Sequence, residues 1–97
     1  MRLTEAELDQ FRRDGFLVRP NLFTPTEVAL LRAQLAALFD EETPANIREK
    51  DKREVRTSMG LHLRNPVYAR LVRHPRMFEP AAQIVNDERL YVMQVKV

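Results

Sequence analysis

Two stretches of this chain carry the same helix-starting signature, Leu3-Thr4-Glu5-Ala6-Glu7-Leu8 and Phe23-Thr24-Pro25-Thr26-Glu27-Val28. In each, a threonine hydroxyl can accept from the backbone N–H three residues on. The glutamate at that position can reach back to the threonine's own N–H, and apolar residues flank the pair at the staple positions. Pro25 strengthens the second start, because the first helical residue needs no N–H donor. These signals fix two helix origins before any tertiary contact is considered. The first helix is predicted over Glu5–Arg13, with Leu8 and Phe11 on one face and Gly15 as a left-handed terminator. The second is predicted over Pro25–Phe39, with a stripe of Val28, Leu31, Leu35 and Leu38 facing the core.

Between them, Phe16–Arg19 is short and β-prone before Pro20 and reads as a strand; a buried extended connector has the same composition. From Asp40 to Arg56 the character changes. Eleven of these 17 residues are charged, with signs mixed. This is the pattern of a solvated loop, and a lid over a site elsewhere is the functional alternative. A short helix over 47–53 has little support. Val55, Thr57 and Met59 alternate with Arg56 and Ser58 as a strand that Gly60 interrupts. Asn65-Pro66 starts a third helix, which His74-Pro75 ends. Pro75 opens a fourth, with Met77, Phe78, Ala81, Ile84 and Val85 as its apolar face. Pro80 removes a hydrogen bond there, so this helix is either kinked or begins at Glu79. Asn86-Asp87 turns into a closing strand, Arg89–Val97.

That strand alternates. Tyr91, Met93, Val95 and Val97 share one face, expected to pack in the core. Leu90, Val92, Gln94 and Lys96 share the other, which turns polar at its end. Gln94 offers a donor and an acceptor and Lys96 a positive charge, a pair suited to a carboxylate or keto-acid ligand. A strand end reaching solvent would carry the same two residues. An apolar strand also ends the sequence, which predicts that the domain continues beyond Val97.

Ninety-seven residues make one domain or part of one. There is no cysteine, hence no disulfide and no thiol chemistry, which suits the cytoplasm. No stretch is long and apolar enough to span a bilayer. The net charge is +2, weak support for nucleic acid. Arg64, Arg70, Arg73 and Arg76, with His74, form a run free of acids that can bind an anion or be the wet side of a helix. His62 and His74 are the only histidines, and neither is followed by X-Asp or X-Glu. The chain alone therefore assembles neither a two-histidine, one-carboxylate iron triad nor a zinc site. Two glycines make no phosphate loop.

The order "LTEAELDQFRRDGFLVRPNLFTPTEVALLRAQLAAL", "GLHLRNPVYARLVRHPRMFEPAAQIV", "LYVMQVKV" resembles the N-terminal part of the phytanoyl-CoA dioxygenase family, which includes the ectoine hydroxylases. The likeness is carried by "DGFLV" at Asp14–Val18, "RHPR" at Arg73–Arg76 and "Q-x-K" in the closing strand. It covers most of the chain outside the charged stretch.

The resemblance implies an α+β fold: the N-terminal helices and first strands of a double-stranded β-helix, or jelly roll, incomplete in this chain. Residues 1–97 would form the N-terminal portion of a single oxygenase domain, with a charged loop at about 40–56. The complete enzyme would use iron(II) and 2-oxoglutarate to hydroxylate a small-molecule substrate. Gln94 would match an active-site glutamine and Lys96 a basic residue of the 2-oxoglutarate pocket, while Met93 stands where many members have histidine. The metal ligands would follow Val97, so this chain alone is expected to be inactive and to bind no cofactor tightly. No membrane or nucleic-acid partner is implied, and nothing sets an oligomeric state. A non-catalytic helical interaction module and a basic nucleic-acid-binding module are the alternatives.

Overall fold

A computed structural model describes residues 2–97. Six helices and two strands follow in the order α1 (Glu5–Asp14), α2 (Pro25–Ala33), α3 (Leu35–Asp40), β1 (Asn46–Arg48), β2 (Val55–Ser58), α4 (Leu61–Arg64), α5 (Pro66–Arg73) and α6 (Pro75–Val85). Both reciprocal caps are in place, Thr4 with Glu7 on α1 and Thr24 with Glu27 on α2. Gly15 closes α1 at φ 80°, its N–H bonded to the Phe11 carbonyl. Asn65 caps α5 by accepting from the N–H groups of Val67 and Tyr68. His74 ends α5 and caps α6, its side chain accepting from the Arg76 N–H.

Four expectations change. Phe16–Arg19 is an unpaired connector, with Phe16 and Val18 exposed. The helix predicted over Pro25–Phe39 breaks at Gln34, whose N–H bonds the carbonyl three residues back and whose amide reaches the Leu30 carbonyl. The charged stretch is folded in part rather than a loop throughout. β1 pairs antiparallel with β2, Asn46 opposite Ser58 and Ile47 opposite Thr57, so no helix forms over 47–53. Finally, α6 begins at Pro75 and runs through Pro80. Pro80 cannot donate to the Arg76 carbonyl, but the His74 cap and the packed start of α6 hold the helix regardless.

The core is small. Leu38, Leu61 and Tyr68 form its centre, with Leu31, Leu35, Leu71 and Val95 packed around them. Leu61 on the one-turn α4 is fully buried, placed there by Gly60 in the left-handed region at φ 65°, where other residues are strained. The Tyr68 hydroxyl donates to the Leu31 carbonyl at 3.1 Å, and burial raises its pKa above the ordinary tyrosine value. A second small centre forms where Leu3 and Leu8 are buried. There the Gln83 side chain accepts from the Leu3 N–H and donates to the Leu3 carbonyl, tying the first residues to α6. The face predicted for α6 is largely open: Met77, Phe78, Ile84 and Val85 are all exposed.

Candidate functional site

The sheet gains a third member from the end of the chain. Ser58 and Val97 exchange both backbone hydrogen bonds, at 2.8 and 3.0 Å, and the Gly60 N–H donates to the Val95 carbonyl at 2.8 Å. Met59 lies directly opposite Lys96. On the other edge of β2, the Met59 N–H donates to the Ala45 carbonyl. Residues 58–60 are therefore a backbone template bonded on both sides, and 95–97 are laid against it antiparallel.

Paired structure covers only this end of the strand expected over Arg89–Val97. Val95 faces inward, on the Leu38–Leu61–Tyr68 cluster. Tyr91 and Met93 do not: they are 86% and 89% exposed, and Val97 is also exposed. The apolar face predicted from alternation thus holds at Val95 alone, because pairing, which enforces alternation, stops there. Gln94 and Lys96 are both exposed. Among the described residues, neither side chain has a hydrogen-bond or ion-pair partner.

Behind the template lies a buried polar cluster that sequence reasoning missed. Asn46 and Ser58 are buried. The Asn46 amide donates to the carbonyls of Leu38 (2.7 Å) and Glu41 (2.9 Å), and its oxygen accepts from the Ser58 hydroxyl. The Arg64 guanidinium donates to the Met59 carbonyl (2.8 Å), the Ser58 hydroxyl (3.1 Å) and the Leu38 carbonyl (3.2 Å), and pairs with the Glu41 carboxylate at 3.1 Å. Arg48 reaches the Phe39 carbonyl at 2.9 Å. Of the last carbonyls of α3, which have no partners within a helix, those of Leu38 and Phe39 are met from β1 and α4. No local pattern announces this, since the bonds join different elements, from five residues apart (Asn46–Glu41, Arg64–Met59) to 26 (Arg64–Leu38).

The arginine run does not form one anion site. Arg64 is committed to the cluster just described. Arg76 forms a two-pronged pair with Glu27, at 2.7 and 2.8 Å, donates to the Leu22 carbonyl, and lies over the Phe23 ring at 4.6 Å. His74 meets the same ring edge-on. The hydrogen bonds from Arg76, with the Thr24 backbone N–H, hold the Glu27 carboxyl below the usual glutamate range, and the pair raises Arg76 in return. Arg73 bonds a carbonyl of its own helix and is exposed, as is Arg70. This is stapling of α2 to α6 rather than a shared basic surface.

Among the described residues, no group of three or more His, Cys, Asp or Glu is placed to hold a metal ion. They do not by themselves compose an iron centre. Gln94 and Lys96 present an amide and an ammonium two residues apart, both exposed.

Helices backing a small antiparallel sheet define an α+β arrangement. Known proteins make the assignment specific. The family model for phytanoyl-CoA dioxygenase (PhyH) matches residues 11–96, and the chain belongs to that family. It is 38% identical over 94 residues to the ectoine dioxygenase of Stutzerimonas stutzeri, covering 92% of this chain and 31% of that protein. With the ectoine dioxygenase of Bordetella bronchiseptica it shares 35% over 98 residues, covering 95% and 31%. The L-proline trans-4-hydroxylase of Streptomyces griseoviridis is 33% identical over 88 residues, covering 91% and 32%. The crystal structure of EctD from S. alaskensis with 2-oxoglutarate and 5-hydroxyectoine superposes with a TM-score of 0.86 at 26% identity, over 97% of this chain and 34% of that one. The fold is thus that of the N-terminal part of a jelly-roll oxygenase, and the chain spans about a third of the length of the curated relatives it matches.

Proposed function

We propose that this chain is part of an iron(II)- and 2-oxoglutarate-dependent dioxygenase that hydroxylates a small molecule, and that Gln94 and Lys96 line its 2-oxoglutarate pocket. The observation that carries the reading is the pair of unpartnered side chains beside a strand whose inward residue, Val95, is seated on the core. Gln94 and Lys96 flank Val95, and residues two apart in extended backbone lie about 6.5–7 Å apart, within reach of one small ligand. The Lys96 ammonium supplies a charge-assisted hydrogen bond to a carboxylate. The Gln94 amide can donate to a carboxylate or carbonyl oxygen and accept from a substrate hydroxyl or amine. When bound, 2-oxoglutarate supplies the two electrons, beyond those of the C–H bond, that reduction of oxygen requires.

The relatives' names point to ectoine or L-proline as the kind of small molecule taken. The nucleic-acid alternative gains no support. Arg64 and Arg76 are consumed by internal contacts, which leaves little of the basic run for phosphate. Among the described residues no helix is long and apolar enough to cross a membrane, and the cytoplasm is the proposed compartment, which cell fractionation checks.

The test is Lys96→Ala in the whole protein. Losing a hydrogen bond to a charged group costs about 1.5–3 kcal/mol, so the apparent 2-oxoglutarate constant should rise roughly tenfold or more. An unchanged constant would remove Lys96 from the pocket.

A further inference from the structure

The three backbone bonds that lay residues 95–97 against 58–60 are too few to fix a register alone. A slip of one residue would turn every side chain to the opposite face, sending Lys96 toward the core and Val95 outward. Something must hold the template. Met59, which stands opposite Lys96, has its carbonyl gripped by Arg64 at 2.8 Å. Ser58, which makes both backbone bonds to Val97, has its hydroxyl held by the same Arg64 nitrogen at 3.1 Å. The other arm of the guanidinium is anchored on α3 through the Leu38 carbonyl and the Glu41 carboxylate. One half-buried side chain thus ties the template to the helical layer.

We propose that Arg64 is a positioning residue for the oxoacid site: it sets the register of the Val95–Val97 strand so that Gln94 and Lys96 face the ligand. This rests on the pocket reading of those two residues. The role needs a rigid planar fork with several donors in fixed directions. Lysine, a point charge on a flexible stem, cannot span both anchors.

The experiment compares Arg64→Met and Arg64→Lys in the whole protein, with Thr24→Ala as a control that weakens the fold far from the sheet. Amide hydrogen exchange reads the register, and steady-state kinetics read the apparent 2-oxoglutarate constant against kcat. In Arg64→Met, protection of the Gly60 and Val97 amides should fall about tenfold or more, as expected for losing bonds from a charged donor. The Ala69 amide of α5 should keep its protection. The 2-oxoglutarate constant should rise by a similar factor, and Arg64→Lys should recover only part of either effect. Thr24→Ala should leave the constant unchanged.

Wild-type protection at Gly60 and Val97 overturns the proposal. So does loss of protection spread equally over Ala69, or a constant shifted no more than in Thr24→Ala. Full recovery by lysine overturns the requirement for the fork. If the unaltered protein shows no affinity for 2-oxoglutarate, the pocket reading fails instead, and the exchange data still decide whether Arg64 holds the strand.

Discussion

Asn46 shows how one buried amide joins three elements. Its nitrogen meets the Leu38 and Glu41 carbonyls at the end of α3, and its oxygen meets Ser58 on β2. Alanine would remove all three bonds and leave the Leu38 carbonyl and the Ser58 hydroxyl to Arg64 alone, a loss of about 1–3 kcal/mol. Asn46→Ala should therefore lower the denaturation midpoint clearly. Ser58→Ala should cost less in that background than in the wild type, because the two share a hydrogen bond and neighbours of this kind do not add. A double-mutant cycle by chemical denaturation checks both statements. Additive losses would mean that the Asn46–Ser58 bond contributes little. This residue lies in a stretch whose composition reads as solvated loop. Nothing local marks it as buried, since its burial is decided by carbonyls that α3 leaves open. Gln94 and Lys96 were the opposite case: their polar character at a strand's end is visible in the sequence, while their lack of protein partners needs the fold.

Helix starts are the most legible elements here. A reciprocal cap is decided within four residues, so Thr4–Glu7, Thr24–Glu27 and Asn65 could all be read before any contact was known. Strands are decided by partners. β1 has three residues and no visible period, and the end of the chain pairs only where β2 and Gly60 present free backbone groups. The break at Gln34 was hidden because its surroundings are good helix formers, while the contact that holds its side chain comes from far along the chain: the Asn65 side-chain amide donates to the Gln34 side-chain oxygen at 3.1 Å. Two measurements address the capped helices. Thr24→Ala should cost roughly 1 kcal/mol, the usual loss for a capping hydroxyl, and an unmoved midpoint would discredit the cap. The second concerns acid. The Arg76 hydrogen bonds depress the pKa of Glu27, and the Thr4 backbone hydrogen bond depresses that of Glu7. Each folded value lies below the unfolded one, near 4.3 for glutamate. Their contribution is full above that value and lost as pH falls through the depressed one. Glu27→Gln keeps a capping side chain but not the charge. It should shrink the drop in melting temperature between about pH 7 and about pH 3, and an undiminished drop would show that the Arg76–Glu27 pair does not drive it.

Taken whole, the molecule buries less than its length allows. Its radius of gyration is 15.9 Å, against about 12.5 Å for a compact domain of this length. Its accessible surface is 7655 Å², against about 5,800 Å² for a compact monomer of this size. The excess is partly apolar: it includes Leu63, and also Met77, Phe78, Ile84 and Val85 of α6 with Tyr91 and Met93, where sequence patterning had placed core. Exposed apolar side chains of this size bind apolar probes and other surfaces. Met93 sharpens the point. Alternation predicts that Met93→Asp buries an unpaired charge and ruins the fold. With the side chain 89% exposed, the same change in the 97-residue chain should move stability by less than about 0.5 kcal/mol. It should also lower the fluorescence of a hydrophobic dye, because it replaces an exposed apolar side chain with a charge. Val95→Asp, two residues on and packed against Leu38, Leu61 and Tyr68, should unfold the sheet edge instead. Urea melts and dye titrations of the two variants separate the cases. If Met93→Asp proves as damaging as Val95→Asp, the alternation continues past the paired residues and Met93 is seated in the core after all.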